Sequence, residues 1–176
     1  MTGLSGAGKT TIAYALKDKL EDIGYSPIAV LDGDEIRSGV SKGLGFGKKD
    51  RLEHQKRMAD MSRILSNMGA ITIVSTISPY QQGRDYARSV NKNFLEVYVS
   101  CPIEECEERD PKGLYEKVRA GQIKNFTGIS DVYEYPKNPD IVLHTNKDDL
   151  DFCVGKMIFS LYERFISDAA VKRYNK

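Results

Sequence analysis

The chain has 176 residues, 40% of them hydrophobic and 29% charged, with 26 Lys and Arg against 25 Asp and Glu. That length suits one domain with a proper core and is marginal for two. The composition excludes a disordered or collagen-like chain, and the near-neutral charge argues against nucleic acid as a partner. A mean hydropathy of −0.44 and the lack of any apolar run near ~20 residues argue against a membrane span. No basic-then-apolar leader is visible at the start. Cys101, Cys106 and Cys153 are three thiols without a C-x-x-C pair. They are expected as packing residues, reduced in a cytoplasm.

In chain order the pattern alternates. A helix is expected from Gly8 to Ile23, stopped by Gly24. Ile28–Leu31 reads as a buried strand, Asp50–Met68 as a helix stopped by Gly69, and Ile71–Val74 as the next strand. A short helix over Arg84–Val90, a strand over Phe94–Val99 and a helical turn over Ile103–Glu108 follow. A strand over Ile141–Leu143 and an amphipathic helix over Leu150–Phe165 close the chain. Short apolar strands alternating with helices predict a parallel sheet covered on both faces. Only Met1 and Thr2 precede the first motif, where such a fold places a strand. The expectation is therefore that the first strand is missing from the given N-terminus.

Gly3-Leu4-Ser5-Gly6-Ala7-Gly8-Lys9-Thr10 matches G-x-x-x-x-G-K-[ST] in full. Its glycines let backbone N–H groups turn in around phosphates. Lys9 then reaches the terminal phosphates, and the Thr10 hydroxyl serves Mg²⁺. The following helix aims its positive end at the same anion. Gly3, Ser5, Gly6, Ala7, Gly8, Lys9, Thr10 and Thr11 are thus candidates for holding ATP. The loop alone implies triphosphate binding and leaves the reaction open.

Leu31-Asp32-Gly33-Asp34 ends the second predicted strand, at the edge where parallel sheets place ligands. Asp32 is a candidate for the magnesium site. Asp34 is a candidate to take a hydroxyl proton, and either carboxylate could instead cap a short helix over Glu35–Ser38. Arg37, Lys42, Lys48, Lys49, Arg51, Lys56 and Arg57 put seven cations in 21 residues, as an anionic second substrate requires; Glu53 and Asp60 dilute them, as on a solvated face. Arg37 and Arg51 are the chosen anion contacts, because a guanidinium fork matches phosphate or sulfate. Ile77-Ser78-Pro79-Tyr80 lies at another strand end. Ser78 is a catalytic candidate, but no His or Lys stands in sequence to activate it, so a positional role is expected. The stretch from about 109 to 135 is polar and punctuated by glycine, and reads as a lid whose cations exclude water. Its plainer reading is a surface hairpin with Phe126 tucked beneath.

Taken together, GLSGAGKTTIA, LDGDEIR, ISPY, EVYV, CEERDPKGLYEKVRAGQIKNFTGI and the D-R-x-E start at Asp50 resemble the adenylylsulfate kinase family from residue 3 to about 145. RDPKGLY and KNFTGI are far more specific than the phosphate loop. The resemblance implies a P-loop NTPase-type parallel sheet with helices on both faces and a lid. It implies transfer of the ATP γ-phosphoryl group to the ribose 3′-hydroxyl of adenosine 5′-phosphosulfate (APS), giving 3′-phosphoadenylyl sulfate (PAPS) and ADP. Carried over, Phe46 and Phe126 sandwich the APS adenine, Arg37 and Arg51 hold its phosphosulfate, and Ile77 and Ser78 line the same pocket. Arg109 packs on the ATP adenine, Lys112 and Lys124 belong to the lid, and Asp34 is the base or hydroxyl-orienting group. The family is often dimeric, so a homodimer is expected, with association with ATP sulfurylase open. Where the family reads D-R-x-E-N-x-R-R, this chain has His54 for the Asn and Lys56 for an Arg, and Gly47 stands for a Ser. His54 is accordingly a substrate-binding candidate that can titrate. Two other readings stand beside this one: a P-loop kinase with a different nucleotide or phosphorylated acceptor, and a nucleotide-binding module without turnover.

Overall fold

The computed structural model describes residues 1–166. Helix α1 (Lys9–Asp22) buries Lys9, Ile12, Ala13, Leu16 and Leu20, the spacing of a single helix face. Strand β1 (Ile28–Asp32) leads into the short helix α2 (Gly33–Ser38). Asp32 caps α2 by accepting the Asp34 and Glu35 amides, so the capping reading holds for Asp32 rather than Asp34. Then follow α3 (Lys48–Asn67), β2 (Ile71–Ser75), α4 (Gln81–Val90), β3 (Val97–Ser100) and α5 (Ile103–Arg109). Helix α6 (Leu114–Arg119), β4 (Ile141–His144) and α7 (Leu150–Leu161) complete the order before a π-helical turn over Tyr162–Ile166.

β1 pairs with β2 and β3 with β4, both parallel, Ile28 facing Ile71 and Val97 facing Ile141. The two pairs meet at the N-terminus. On one side the Met1 nitrogen donates to the Val74 carbonyl at 2.7 Å and the Gly3 amide to Ile77 at 3.3 Å. On the other side the Thr2 amide donates to Val97 and the Val99 amide to Thr2, both at 2.8 Å. The place of the expected absent strand is therefore held by residues 1–3, too short to be an element yet bonded to both neighbours. Helix α1 packs on α7 and on β1–β2, while α3 packs on α4 and on the same two strands. The core runs between them through Leu4, Leu16, Val99, Leu143 and Met157. Cys101, Cys106 and Cys153 are buried and free, and among the described residues no helix is long and apolar enough to cross a membrane.

Two expectations change. Strand β3 starts at Val97 rather than Phe94. The stretch after Arg109 also contains a helix, α6. Asp110 starts it by accepting the Leu114 amide at 2.8 Å and the Glu116 amide at 3.1 Å.

Gly3 is the tightest point of this arrangement. Its φ is +155°, and a Cβ there would lie 2.5 Å from the Val99 carbonyl oxygen. Gly3→Ala forces residues 1–3 away from β3 and is expected to lower the unfolding free energy by about 2 kcal/mol, read from urea denaturation.

Candidate active site

The loop from Gly3 to Gly8 turns with φ of +77° at Gly6 and +92° at Gly8. A Cβ on Gly6 would lie 2.7 Å from the Cys106 carbonyl oxygen, so the loop can be this tight only with glycine there. No side chain caps α1, which leaves its first amides for an anion. Lys9 is 8% exposed and its Nζ donates to the Leu4 carbonyl at 2.6 Å. Burial lowers its pKa to about 8, because desolvation disfavours the charged form. Thr10 Oγ1 donates to Asp32 Oδ2 at 2.8 Å and lies 3.3 Å from Ser75 Oγ. Hydroxyl and carboxylate oxygens side by side at the phosphate end are the hard donors that Mg²⁺ takes.

These groups open on a cleft of about 1330 Å³ whose other walls are the 77–79 loop, the first turns of α3, and the segment from Arg109 to Thr127. Of the residues given a site role in the sequence, Gly3 and Ala7 do not line the cleft and the others border it. Of the seven clustered cations, only Arg37 and Arg51 do; Lys42, Lys48, Lys49 and Lys56 are exposed away from it, as on a solvated face. Ala7 contributes its carbonyl, which accepts from Thr145 Oγ1 at 2.9 Å. Arg109 Nη2 donates to the Thr145 carbonyl at 2.7 Å, tying the end of α5 to the end of β4. Tyr115 of α6 donates to the Ser5 carbonyl at 3.0 Å. Lys112 is ion-paired with Asp34.

The other half of the cleft is aromatic and cationic. Phe46 is more than half exposed, with the Arg37 guanidinium 4.7 Å and that of Arg51 5.5 Å from its ring centre. Phe126 is buried and stands edge-on to Tyr115 at 4.9 Å. Both Phe46 and Phe126 line the cleft. Arg51 is less free than its sequence position implies. Its Nε donates to the Phe46 carbonyl at 2.7 Å, its Nη2 to the Asn125 carbonyl at 2.8 Å, and Asp131 lies 3.6 Å away. Ser78 has φ +44° and no His or Lys bonded to its hydroxyl among the described residues. Its carbonyl accepts from Arg84 Nη1 at 2.6 Å and from Thr2 Oγ1 at 3.2 Å.

Residues 1–144 match the adenylylsulphate kinase family. An adenylyl-sulfate kinase of Rippkaea orientalis is 50% identical over 163 residues, covering 93% of this chain and 90% of that protein. One of Clostridium acetobutylicum is 48% identical over 158 residues, covering 89% and 78%. The APS kinase of Mycobacterium tuberculosis, solved in complex with AMPPNP and APS, superposes with a TM-score of 0.88 at 41% identity, over 91% of this chain and 94% of that one. The chain belongs to the adenylylsulphate kinase family.

Three residues that border or support the family cleft escaped the sequence reading. Thr145 directly follows β4, so the rule that ligands gather at the carboxyl ends of parallel strands could have found it. Tyr115 stood inside RDPKGLY, but its bond to Ser5 spans 110 positions. Arg84 carried no local signal at all.

His54 is the family departure that the structure makes most specific. It is 3% exposed, its Nδ1 lies 2.9 Å from Ser41 Oγ, and its buried Nε2 has no hydrogen-bond partner among the described residues. Burial, reinforced by the Arg37 charge, lowers its pKa to about 4. The unfolded chain therefore takes up this proton first as pH falls, so the stability that neutral His54 supplies is lost between pH 6.5 and pH 4. His54→Asn should flatten that limb of the stability curve by about 2 kcal/mol, measured by urea denaturation at pH 7, 5.5 and 4.5.

Proposed function

We propose that this chain is an ATP-dependent kinase that phosphorylates the 3′-hydroxyl of APS to give PAPS and ADP. The observation that carries the reading is the juxtaposition in one cleft of a complete phosphate loop with Phe46, Phe126 and the guanidinium groups of Arg37 and Arg51. Such a lining suits a planar base bearing a doubly anionic tail. The relatives' names support the same acceptor.

On this reading the loop amides, the α1 N-terminus and Lys9 hold the β- and γ-phosphates of ATP. Arg109, tethered to Thr145, flanks the ATP base. Thr10 and Asp32 would hold Mg²⁺, which when bound neutralises charge on the phosphates. The acceptor adenine enters between Phe46 and Phe126, with Arg37 and the remaining face of Arg51 toward its phosphosulfate. Ile77 and Ser78 form the wall. Ser78 orients rather than reacts, since nothing is placed to take its proton. Asp34 orients the 3′-hydroxyl and accepts its proton, and in-line transfer then needs positioning and charge more than covalent help. Lys112 and Lys124 follow the transferring charge from the 109–135 segment, which acts as a lid. Residues 1–176 act as one catalytic domain in this account. The enzyme works in the cytoplasm, where its three buried thiols stay reduced, as a homodimer that association with ATP sulfurylase could supply with APS.

Two experiments check this. With Mg-ATP and a panel of APS, AMP, CMP, CDP and phosphosugars, mass spectrometry should find PAPS from APS alone, and Lys9→Ala should lower its rate by about 10²-fold or more. Turnover on another acceptor instead would make His54 the lead to specificity, and ATP binding without turnover would leave a binding module. Phe126→Ala should raise the KM for APS about tenfold, the worth of one stacked base, with the KM for ATP much less affected. Equal rises in both would discard the stacking role.

A further inference from the structure

Arg84 lies in the first turn of α4, behind the cleft wall, and is 3% exposed. A guanidinium is costly to bury unless its donors are used, and here they are spent across four segments. Nη1 donates to the Ser78 carbonyl at 2.6 Å. Nη2 donates to the Glu134 carbonyl at 2.6 Å and to Gln81 Oε1 at 2.7 Å. Nε lies 3.0 Å from Glu96 Oε1, a charge contact whose angle falls outside hydrogen-bonding geometry. Two of the recipients matter for the cleft. Ser78 holds a left-handed φ of +44°, which a serine keeps only when its surroundings insist. Glu134 belongs to the arm by which the 109–135 segment returns to the body.

That arm is fastened to the same loop at other points. The Glu134 amide donates to the Pro79 carbonyl at 2.8 Å, and its carboxylate accepts the Gln81 amide at 2.7 Å, capping a helix that has no cap of its own. Tyr80 donates to Asp131 at 3.0 Å. Tyr133 Oη lies 2.8 Å from Thr2 Oγ1, whose own proton points to the Ile77 carbonyl at 2.7 Å. Arg84, paired with the equally buried Glu96, is the only side chain of this seam that donates to both the loop and the arm among the described residues.

We propose that Arg84 is a positioning residue for the acceptor: it holds Ser78 in its left-handed turn and locks that wall to the return arm, without touching substrate. The inference rests on the proposed reading that the 77–79 loop borders APS. The ATP half of the cleft is built on the phosphate loop, Asp32 and Thr145, none of which Arg84 contacts. Its effect is therefore selective for the acceptor, which an ion pair that merely stabilises the interior would not be.

The test is steady-state kinetics with both substrates varied. Arg84→Lys keeps the charge but cannot reach both carbonyls, and should raise the KM for APS about tenfold while the KM for ATP stays within about twofold. Arg84→Gln with Glu96→Gln leaves no lone buried charge, and should show the same split if the single variant folds poorly. Glycine adopts φ +44° without strain, so in a Ser78→Gly background Arg84→Lys should cost less than about threefold in the same KM. Equal shifts in both KM values, an unchanged KM for APS, or an undiminished cost in the Ser78→Gly background would each overturn the proposal. Wild-type product keeps the two readings apart. If wild type makes no PAPS, the acceptor assignment falls and takes this inference with it; if it makes PAPS while Arg84→Lys shifts both constants alike, only the clamp falls.

Discussion

The hydrogen bonds of residues 1–3 are the constraint on which the cleft depends. Each half of the sheet carries half of the machinery. The β1–β2 pair presents Asp32, Asp34, Ser75 and the 77–79 loop at its carboxyl edge, while β3–β4 leads to α5, Arg109 and Thr145. Among the described residues neither strand pair is hydrogen-bonded directly to the other. Their register is set by the four backbone bonds that Met1, Thr2 and Gly3 make to Val74, Ile77, Val97 and Val99. Since the phosphate loop springs from Gly3, the same bonds place it between the two halves. A shift of one residue there would move the loop about 3.3 Å against both edges, well beyond what phosphoryl transfer tolerates.

Electrostatics follow from that placement. Parallel strands end together, so the loops after them crowd cations into one hollow. Lys9 and Arg51 are desolvated there, and burial lowers the pKa of each. A protein that buries positive charge without full anionic pairing has spent stability on an electrostatic hollow. Polyanionic substrates repay it on binding, because their charge meets donors already oriented and dry. His54 obeys the same logic: its burial, reinforced by the Arg37 charge, favours the neutral imidazole, so it adds no charge to the hollow.

Much of this was legible in the sequence, and for identifiable reasons. Helices α1 and α3 announced themselves because their apolar residues recur at helical spacing, and the strands because short apolar runs alternated with the helical stretches. The phosphate loop was legible because its function constrains backbone and side chains within eight consecutive positions. Helix α6 was not, being only six residues long, too short for a period to show and started by Asp110 from outside. The commitments of Arg51 and Arg84 were hidden for a different reason. Each acts on carbonyls, which carry no sequence signature, and their partners lie 74 and 50 positions away.

Two ion pairs on either side of the cleft wall, Lys112–Asp34 and Arg84–Glu96, differ in kind. Lys112 and Asp34 are exposed by 52% and 70% at the side chain. Pairs of that sort contribute about 0–1 kcal/mol, so on the proposed function a phosphate would readily draw Lys112 away and leave Asp34 to the acceptor hydroxyl. Arg84 and Glu96 are exposed by 3% and 7%. Breaking such a pair strands a charge in the interior at about 3–5 kcal/mol, more than the substrate contacts of one residue supply. Arg84, held by that pair, also donates to the Glu134 carbonyl of the return arm and to the Ser78 carbonyl. On the proposed reading of the 109–135 segment as a lid, the weakly held Lys112 end is the part free to rearrange, and the arm against the 77–79 loop is the part that stays fixed.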